Sequence, residues 1–92
     1  MAHRELRLSQ NFIEDLQQIY SPKVLGLIKN VLRDLLVYPE MGAQSARPSL
    51  VERFGPNIRK VPISTFVLLH RLQGSHDEII EVLGLIYGPR GV

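Results

Sequence analysis

The side chains best equipped for chemistry in this 92-residue chain are basic ones in its second half. Five of them lie between Arg47 and Arg71, against one acid, Glu52. Arginine binds phosphate and carboxylate groups bidentately and stabilises charge that develops at a phosphoryl centre. A neighbouring tyrosine can stack on a nucleobase. The candidates for such roles are Arg53, Arg59, Lys60, Arg71, Tyr87 and Arg90.

The other reactive groups form no recognisable catalytic motif. The sequence has no phosphate-binding loop, no nucleophile elbow and no metal-ligand spacing, so we expect neither a metal nor a cofactor. His3, His70 and His76 lie far apart, and the apolar surroundings of His70 favour a hydrogen-bonded structural residue. The alternative for the basic side chains is a solvated face of a sheet.

Length and composition predict one domain, residues 1–92. The absence of cysteine excludes disulfides and thiolate metal sites. The longest apolar runs, such as residues 66–69, are far shorter than the roughly 18 residues that a membrane span needs. The N-terminus also lacks the pattern of a signal peptide. We therefore expect a soluble cytoplasmic protein that does not contact a membrane.

Two amphipathic helices are predicted in the first half. Residues 3–8 alternate between polar and apolar side chains, which is typical of a strand. Ser9 can cap a first helix, and Ser21 followed by Pro22 can begin a second one. The second helix must end before Pro39, which cannot continue its hydrogen-bond ladder. The short connection between the helices predicts a hairpin that packs on a sheet.

Strands are predicted in the second half. We expect a loop at residues 41–48 and strands at residues 50–54, 58–63, 66–72 and 79–87. Pro62 suggests a sheet edge or a bulge, and Gly84 suggests a bulge or a close approach. The predicted fold is α+β in the order β-α-α-β-β-β, an antiparallel twisted sheet with a helical hairpin packed on one face. Strand parity puts Tyr87 on the same side as Leu83 and Leu85, opposite Ile86, unless a bulge at Gly84 reverses this arrangement.

This ordered set of segments resembles the RelE/ParE superfamily of toxins from type II toxin–antitoxin systems. The resemblance covers nearly the whole chain. It consists of the short first strand, the hairpin that ends in Leu35, Pro39 and Gly42, the basic strand, the hydrophobic strand that ends in His70 and Arg71, and the last strand before Gly88-Pro89-Arg90.

The resemblance implies two different activities. RelE-like toxins cleave messenger RNA on the ribosome with basic residues, whereas ParE-like toxins poison DNA gyrase by protein contact. Two basic positions of the RelE pattern are occupied here by Ile58 and Val67, and the chain ends at Val92, before the RelE C-terminal aromatic. The segment 78–83 is similar to the ParE pattern. Tyr87, in place of the usual histidine, and the short link between the helices depart from that pattern.

We therefore expect a ParE-like toxin that inhibits DNA gyrase by contact, without catalysis, and that a cognate antitoxin neutralises. The resemblance implies gyrase contacts from Arg59, Lys60, Arg71 and Arg90. The alternative is a RelE-like endoribonuclease that acts on the ribosome and its mRNA through Lys60, Tyr87 and Arg90. A second alternative is a degenerate, non-toxic protein that only binds its antitoxin. The assemblies considered are a homodimer and a toxin–antitoxin heterotetramer.

Overall fold

A five-stranded sheet forms the centre of the molecule, and the computed structural model describes residues 4–45 and 47–88. Three consecutive strands form the predicted antiparallel meander, and the first strand joins it in parallel. Across the sheet the order is β1-β5-β4-β3-β2. Along the chain the elements are β1 (Glu5–Leu8), α1 (Gln10–Gln17), α2 (Pro22–Val37), β2 (Ala43–Ser45), α3 (Pro48–Phe54), β3 (Ile58–Ile63), β4 (Phe66–Gln73) and β5 (Ile79–Tyr87). The predicted α+β class is confirmed.

The N-terminal hairpin begins and ends where its sequence signals predict. Ser9 and Ser21 each accept a backbone N–H three residues ahead through Oγ, which satisfies one donor of the first turn. Pro22 occupies the first turn of α2, where its missing N–H costs nothing. The helix ends two residues before Pro39. Within the described residues, no helix has the length and apolar character needed to cross a membrane.

The two faces of the sheet are covered by different helices. We call the face under α1 and α2 the hairpin face and the opposite one the α3 face. The hairpin face carries the main core: Phe12, Ile28, Leu35, Val61, Ile63, Leu68, Ile80, Val82 and Leu85. The α3 face carries a smaller cluster: Leu50, Ile58, Val67, Leu69 and Leu83. Each buried aliphatic side chain contributes about 1.5–3 kcal/mol, so this second cluster anchors α3 on the sheet.

Two local predictions between the hairpin and the meander were wrong. Residues 50–54, predicted as a strand, belong to helix α3. Leu50 and Phe54 lie four residues apart and pack together on the sheet, while Pro48 begins the helix and Gly55 ends it at φ 89°. Residues 43–45, predicted as loop, form the short edge strand β2. The sheet therefore has helices on both faces.

The predicted irregularity at Gly84 is a β-bulge. Leu69 pairs with Gly84 and His70 pairs with Val82, so Leu83 is the extra residue of β5. A Cβ atom on Gly84 would lie 2.7 Å from Nδ2 of Asn11 in α1. The bulge and the close approach thus occur together.

Polar side chains at the start of α1 form hydrogen bonds with the backbone groups around this bulge. The N–H of Leu85 donates to Oδ2 of Asp15 at 3.0 Å. Ser9 and Asn11 donate to the carbonyl of Leu83 at 2.9 and 3.2 Å. Because β1 ends at Leu8, α1 replaces it as the neighbour of β5 at this point. An interrupted ladder is costly unless such partners are supplied.

Candidate functional site

The predicted site residues are divided between the two faces of the sheet. Arg59 pairs with His70 on the hairpin face, and Lys60 pairs with Leu69 on the α3 face. Arg71 follows His70 and pairs with Glu81, so it also lies on the α3 face. The two arginines of the meander therefore point in opposite directions.

Arg59 is bound to the turn that leads from α2 into β2. Its Nε and Nη2 donate to the carbonyl of Glu40 at 3.0 and 2.6 Å, and Nη2 also lies 3.4 Å from that of Gly42. Nε2 of His70 lies 3.0 Å from the carbonyl of Met41, between these two. Two cross-strand neighbours thus hold three successive carbonyls, which fixes the path of the chain into β2.

His70 is the buried histidine of this turn. It is 0% exposed, and burial lowers its pKa below the ordinary value of 6.5. The hydrogen bond to the Met41 carbonyl opposes that shift and the charge of Arg59 adds to it. The neutral ring therefore donates from Nε2, while its buried Nδ1 has no hydrogen-bond partner among the described residues. The predicted structural role of His70 is in keeping with this geometry.

Arg71 fastens the end of α3 to the sheet. Its Nη1 donates to the carbonyl of Phe54 at 2.7 Å and to that of Pro56 at 3.2 Å. Its Nη2 forms an ion pair with Glu81 at 2.6 Å, and the Arg71 side chain is 18% exposed. A Cβ atom on Gly55 would lie 2.9 Å from Nη1, so glycine leaves room for the guanidinium. Most of the donor capacity of Arg71 is used inside the molecule.

Arg53 also contacts its own chain. Its Nη2 donates to Oδ1 of Asn11 at 3.2 Å, and its guanidinium carbon lies 4.8 Å from the centre of the Phe54 ring. The first contact links α3 to α1 around the edge of β5 near Gly84, beyond the residues that pair with β1. The second is a cation–π contact at the exposed side of α3.

Among the three predicted contact residues that the structure describes, Lys60 is the one whose charge is not bound to its own chain, in contrast to Arg59 and Arg71. None of the described acidic residues forms an ion pair with it. It is half-buried at the rim of a cavity of about 300 Å³ on the α3 face, lined also by Gly42, Ala43, Pro62 and Val67. Pro62 lies beyond the end of β2, where β3 forms the edge of the sheet. The prediction that this proline lies at a sheet edge is therefore confirmed.

Tyr87 lies at the other end of the sheet from the turn bound by Arg59. It pairs with Phe66, and the two rings meet edge to face with centroids 6.1 Å apart. Phe66 packs against the main core, so Tyr87 lies on the hairpin face, 48% exposed. The predicted side of Tyr87 is confirmed relative to Leu85 and Ile86, but the bulge places Leu83 on the opposite, α3 face. Arg90 lies outside the described residues.

The geometry therefore does not gather the predicted residues into one charged cleft. Lys60 and Tyr87, two members of the alternative catalytic set, lie on opposite faces of the sheet. Within residues 4–45 and 47–88, acidic and histidine side chains form no group of three that could hold a metal ion. The basic side chains lie instead at separate places on the surface of the sheet.

Comparisons with known proteins define the class of fold. No protein-family model and no curated protein sequence matches the chain. Solved structures do match: the chain has the fold of the toxins in RelBE and ParDE toxin–antitoxin complexes.

Three of these structures show how far the likeness extends. The RelBE2 toxin–antitoxin complex from Mycobacterium tuberculosis matches with a TM-score of 0.69 at 17% identity, over 92% of this chain and 98% of that one. The intact RelBE complex from E. coli gives 0.68 at 14% identity, over 91% and 95%. The chromosomal ParDE system from P. aeruginosa gives 0.66 at 18% identity, over 95% and 98%. RelE-like and ParE-like structures are thus about equally similar, which establishes the fold and leaves the branch open.

Proposed function

We propose that the protein is the toxin of a type II toxin–antitoxin module and that a cognate antitoxin protein neutralises it in the cytoplasm. The proposal is supported by the fold, which matches toxins of such modules over more than nine-tenths of this chain. The sequence pattern resembles the same superfamily. The solved relatives include complexes of toxin with antitoxin, which supports an antitoxin as partner.

Within this class we propose a ParE-like action, the inhibition of DNA gyrase by protein contact. The observation that carries the proposal is the separation of Lys60 from Tyr87 by the sheet, together with the internal bonds of Arg59 and Arg71. Acid–base cleavage of RNA needs charged groups that converge within about 3 Å of the reacting atoms. Recognition of a protein surface needs only complementary charges and shape.

The proposal assigns different tasks to the four predicted contact residues. Lys60 and Arg90 would contact gyrase directly. Arg59 would act by fixing the turn that leads into β2, and Arg71 by fixing α3. Replacing Arg59 or Arg71 would then weaken inhibition through a change in structure, which a stability measurement detects.

The experiment is expression from an inducible promoter without antitoxin, followed by two assays on purified components. We expect loss of supercoiling by gyrase and intact messenger RNA on ribosomes. Lys60→Glu should relieve gyrase inhibition at least tenfold, whereas Lys29→Glu, on the exposed side of α2, should not. Unimpaired supercoiling at saturating protein would refute the gyrase proposal.

Each alternative has its own outcome in the same experiment. Cleavage of ribosome-bound messenger RNA with intact supercoiling would establish the endoribonuclease. Normal growth with a folded protein that binds its antitoxin would establish the degenerate, non-toxic form. Sedimentation of toxin alone and of the complex would decide between a homodimer and a heterotetramer.

A further inference from the structure

The two edges of the sheet differ in how they are protected. At the β1 edge, Glu5 and Arg7 form an ion pair at 2.8 Å and Arg4 donates to the carbonyl of Leu36. Charged side chains of this kind discourage the addition of another strand. The β2 edge, residues 43–45, carries only Ala, Gln and Ser, and no described residue pairs with its outer side.

The backbone of Gln44 faces outward at this unprotected edge. The two-residue turn at Ser64 and Thr65 makes Ile63 and Phe66 a pair that exchanges both backbone hydrogen bonds. The direction of the backbone N–H and C=O groups alternates along a strand, so these groups of Lys60 and Ile58 face β2. Their partners are Ala43 and Ser45, and both therefore face β3. The N–H and C=O of Gln44, between them, are left pointing away from the sheet.

Cavities lie beside β2 on both faces of the sheet. On the α3 face, one of about 300 Å³ adjoins Ala43 and one of about 500 Å³ adjoins Ser45. The smaller is bounded mainly by apolar atoms, and Pro62 and Val67 are among the residues that line it. On the hairpin face, a cavity of about 340 Å³ adjoins Gln44, and its lining includes two acidic residues, Glu40 and Asp77, and one basic residue, Arg59.

We propose that the β2 edge binds an extended segment of a partner protein as a sixth strand. Opposite Gln44 this segment would carry a basic side chain, directed at Glu40 and Asp77 on the hairpin face. Its two neighbours would be large and apolar, and would enter the cavities on the α3 face. Strand addition takes affinity from main-chain hydrogen bonds and specificity from alternate side-chain pockets, and both are present here.

A second copy of the chain is a poorer occupant of the same edge. Two β2 strands paired across a twofold axis would offer each other only Ala43, Gln44 and Ser45. These side chains are too small to fill cavities of about 300 to 500 Å³. The charge also favours a foreign strand. The guanidinium of Arg59 in this cavity donates to the carbonyls of Glu40 and Gly42, and a second copy would bring only the neutral Gln44 to the two acidic residues.

The test is a titration of the ¹⁵N-labelled full chain with a synthetic peptide, Thr-Leu-Arg-Leu-Arg-Leu-Thr, followed by NMR. A peptide of the same composition in block order, Thr-Leu-Leu-Leu-Arg-Arg-Thr, is the control ligand. We expect shifts at residues 42–45 and 58–62 and at least tenfold weaker binding of the block peptide. This inference rests on the proposed function for the identity of the partner. The titration measures neither gyrase activity nor growth, so its failure is distinguishable from failure of the proposed function.

Variants of β2 provide the decisive comparison. Gln44→Pro removes the outward N–H without breaking a β2–β3 hydrogen bond and should raise the peptide Kd at least tenfold, whereas Gln44→Ala keeps it within about threefold. Ala43→Leu keeps the backbone donor and partly fills the 300 Å³ cavity, so it should also weaken binding. Shifts confined to β1, equal affinity for the two peptides, or equal affinity of Gln44→Pro and Gln44→Ala would overturn the proposal. Self-association that Gln44→Pro abolishes would assign the edge to a second copy instead.

Discussion

Replacing Arg71 by alanine should destabilise the fold, although the family resemblance implies that Arg71 contacts the target. The guanidinium donates to the carbonyls of Phe54 and Pro56 and pairs with Glu81 at 2.6 Å. The variant leaves two carbonyls and one carboxylate without these partners at the point where α3 ends.

The size of the effect follows from the burial of this contact. A hydrogen bond from a charged group contributes about 1.5–3 kcal/mol, and partial exposure reduces it. The side chains of Arg71 and Glu81 are 18% and 28% exposed, so water replaces only part of what is lost. We therefore expect a loss of about 2–4 kcal/mol, against a total stability of about 5–14 kcal/mol for a domain of this size. A solvated rim arginine would change stability by about 0.5 kcal/mol or less.

Urea unfolding followed by circular dichroism measures this difference. Arg71→Lys keeps the charge but not the forked donors, so its loss should be intermediate. Arg47→Ala, on an exposed residue just before α3, is the matched control and should be nearly neutral. A change below about 0.5 kcal/mol for Arg71→Ala would refute the idea that Arg71 fastens α3 and would return it to the set of contact residues.

Three further measurements test other parts of the structure. Because the pKa of His70 is lowered in the folded protein, the unfolded chain binds this proton first as the pH falls. The free energy of unfolding should therefore fall as the pH drops below about 6.5, and His70→Gln should flatten that dependence between pH 7 and pH 5. Gly84→Ala places a methyl group 2.7 Å from Nδ2 of Asn11 and should cost about 1–3 kcal/mol in a thermal melt, whereas Gly26→Ala, with open space around it, should stabilise α2 by about 0.5–1 kcal/mol. Ser21→Ala removes the cap of α2 and should lower stability by about 0.5–2 kcal/mol; an unchanged melting temperature would contradict the capping role.

Elements with strong local signals were predictable from the sequence. The serine caps and Pro39 bound the hairpin correctly, and the three apolar runs of the meander became β3, β4 and β5. Helix α3 was missed because its apolar residues lie within seven positions, too short a window to separate helical from strand spacing. The proline at its start and Gly55 at its end were the available signals.

The candidate site was less predictable, because side-chain direction depends on register. A two-residue turn after Ile63 sets Arg59 opposite His70, and this alone puts Arg71 on the other face. The predicted strand bounds leave this two-residue turn, but the sequence does not identify the carbonyls that Arg59 and Arg71 bind. For Tyr87, the outcome depended on which residue of β5 the bulge set aside, and that was decided by the polar side chains of α1.

The parallel pairing of β1 with β5 has a consequence for the order in which the molecule can form during synthesis. Glu5 pairs with Ile79, so the first strand waits for the last one before it has a neighbour. The core residues that β5 supplies, Ile80, Val82 and Leu85, are missing from the hairpin face until then, and closing so long a loop slows folding. The apolar face of α2 is therefore only partly covered until β5 has been synthesised, and during that interval it is accessible to any protein that binds apolar helices.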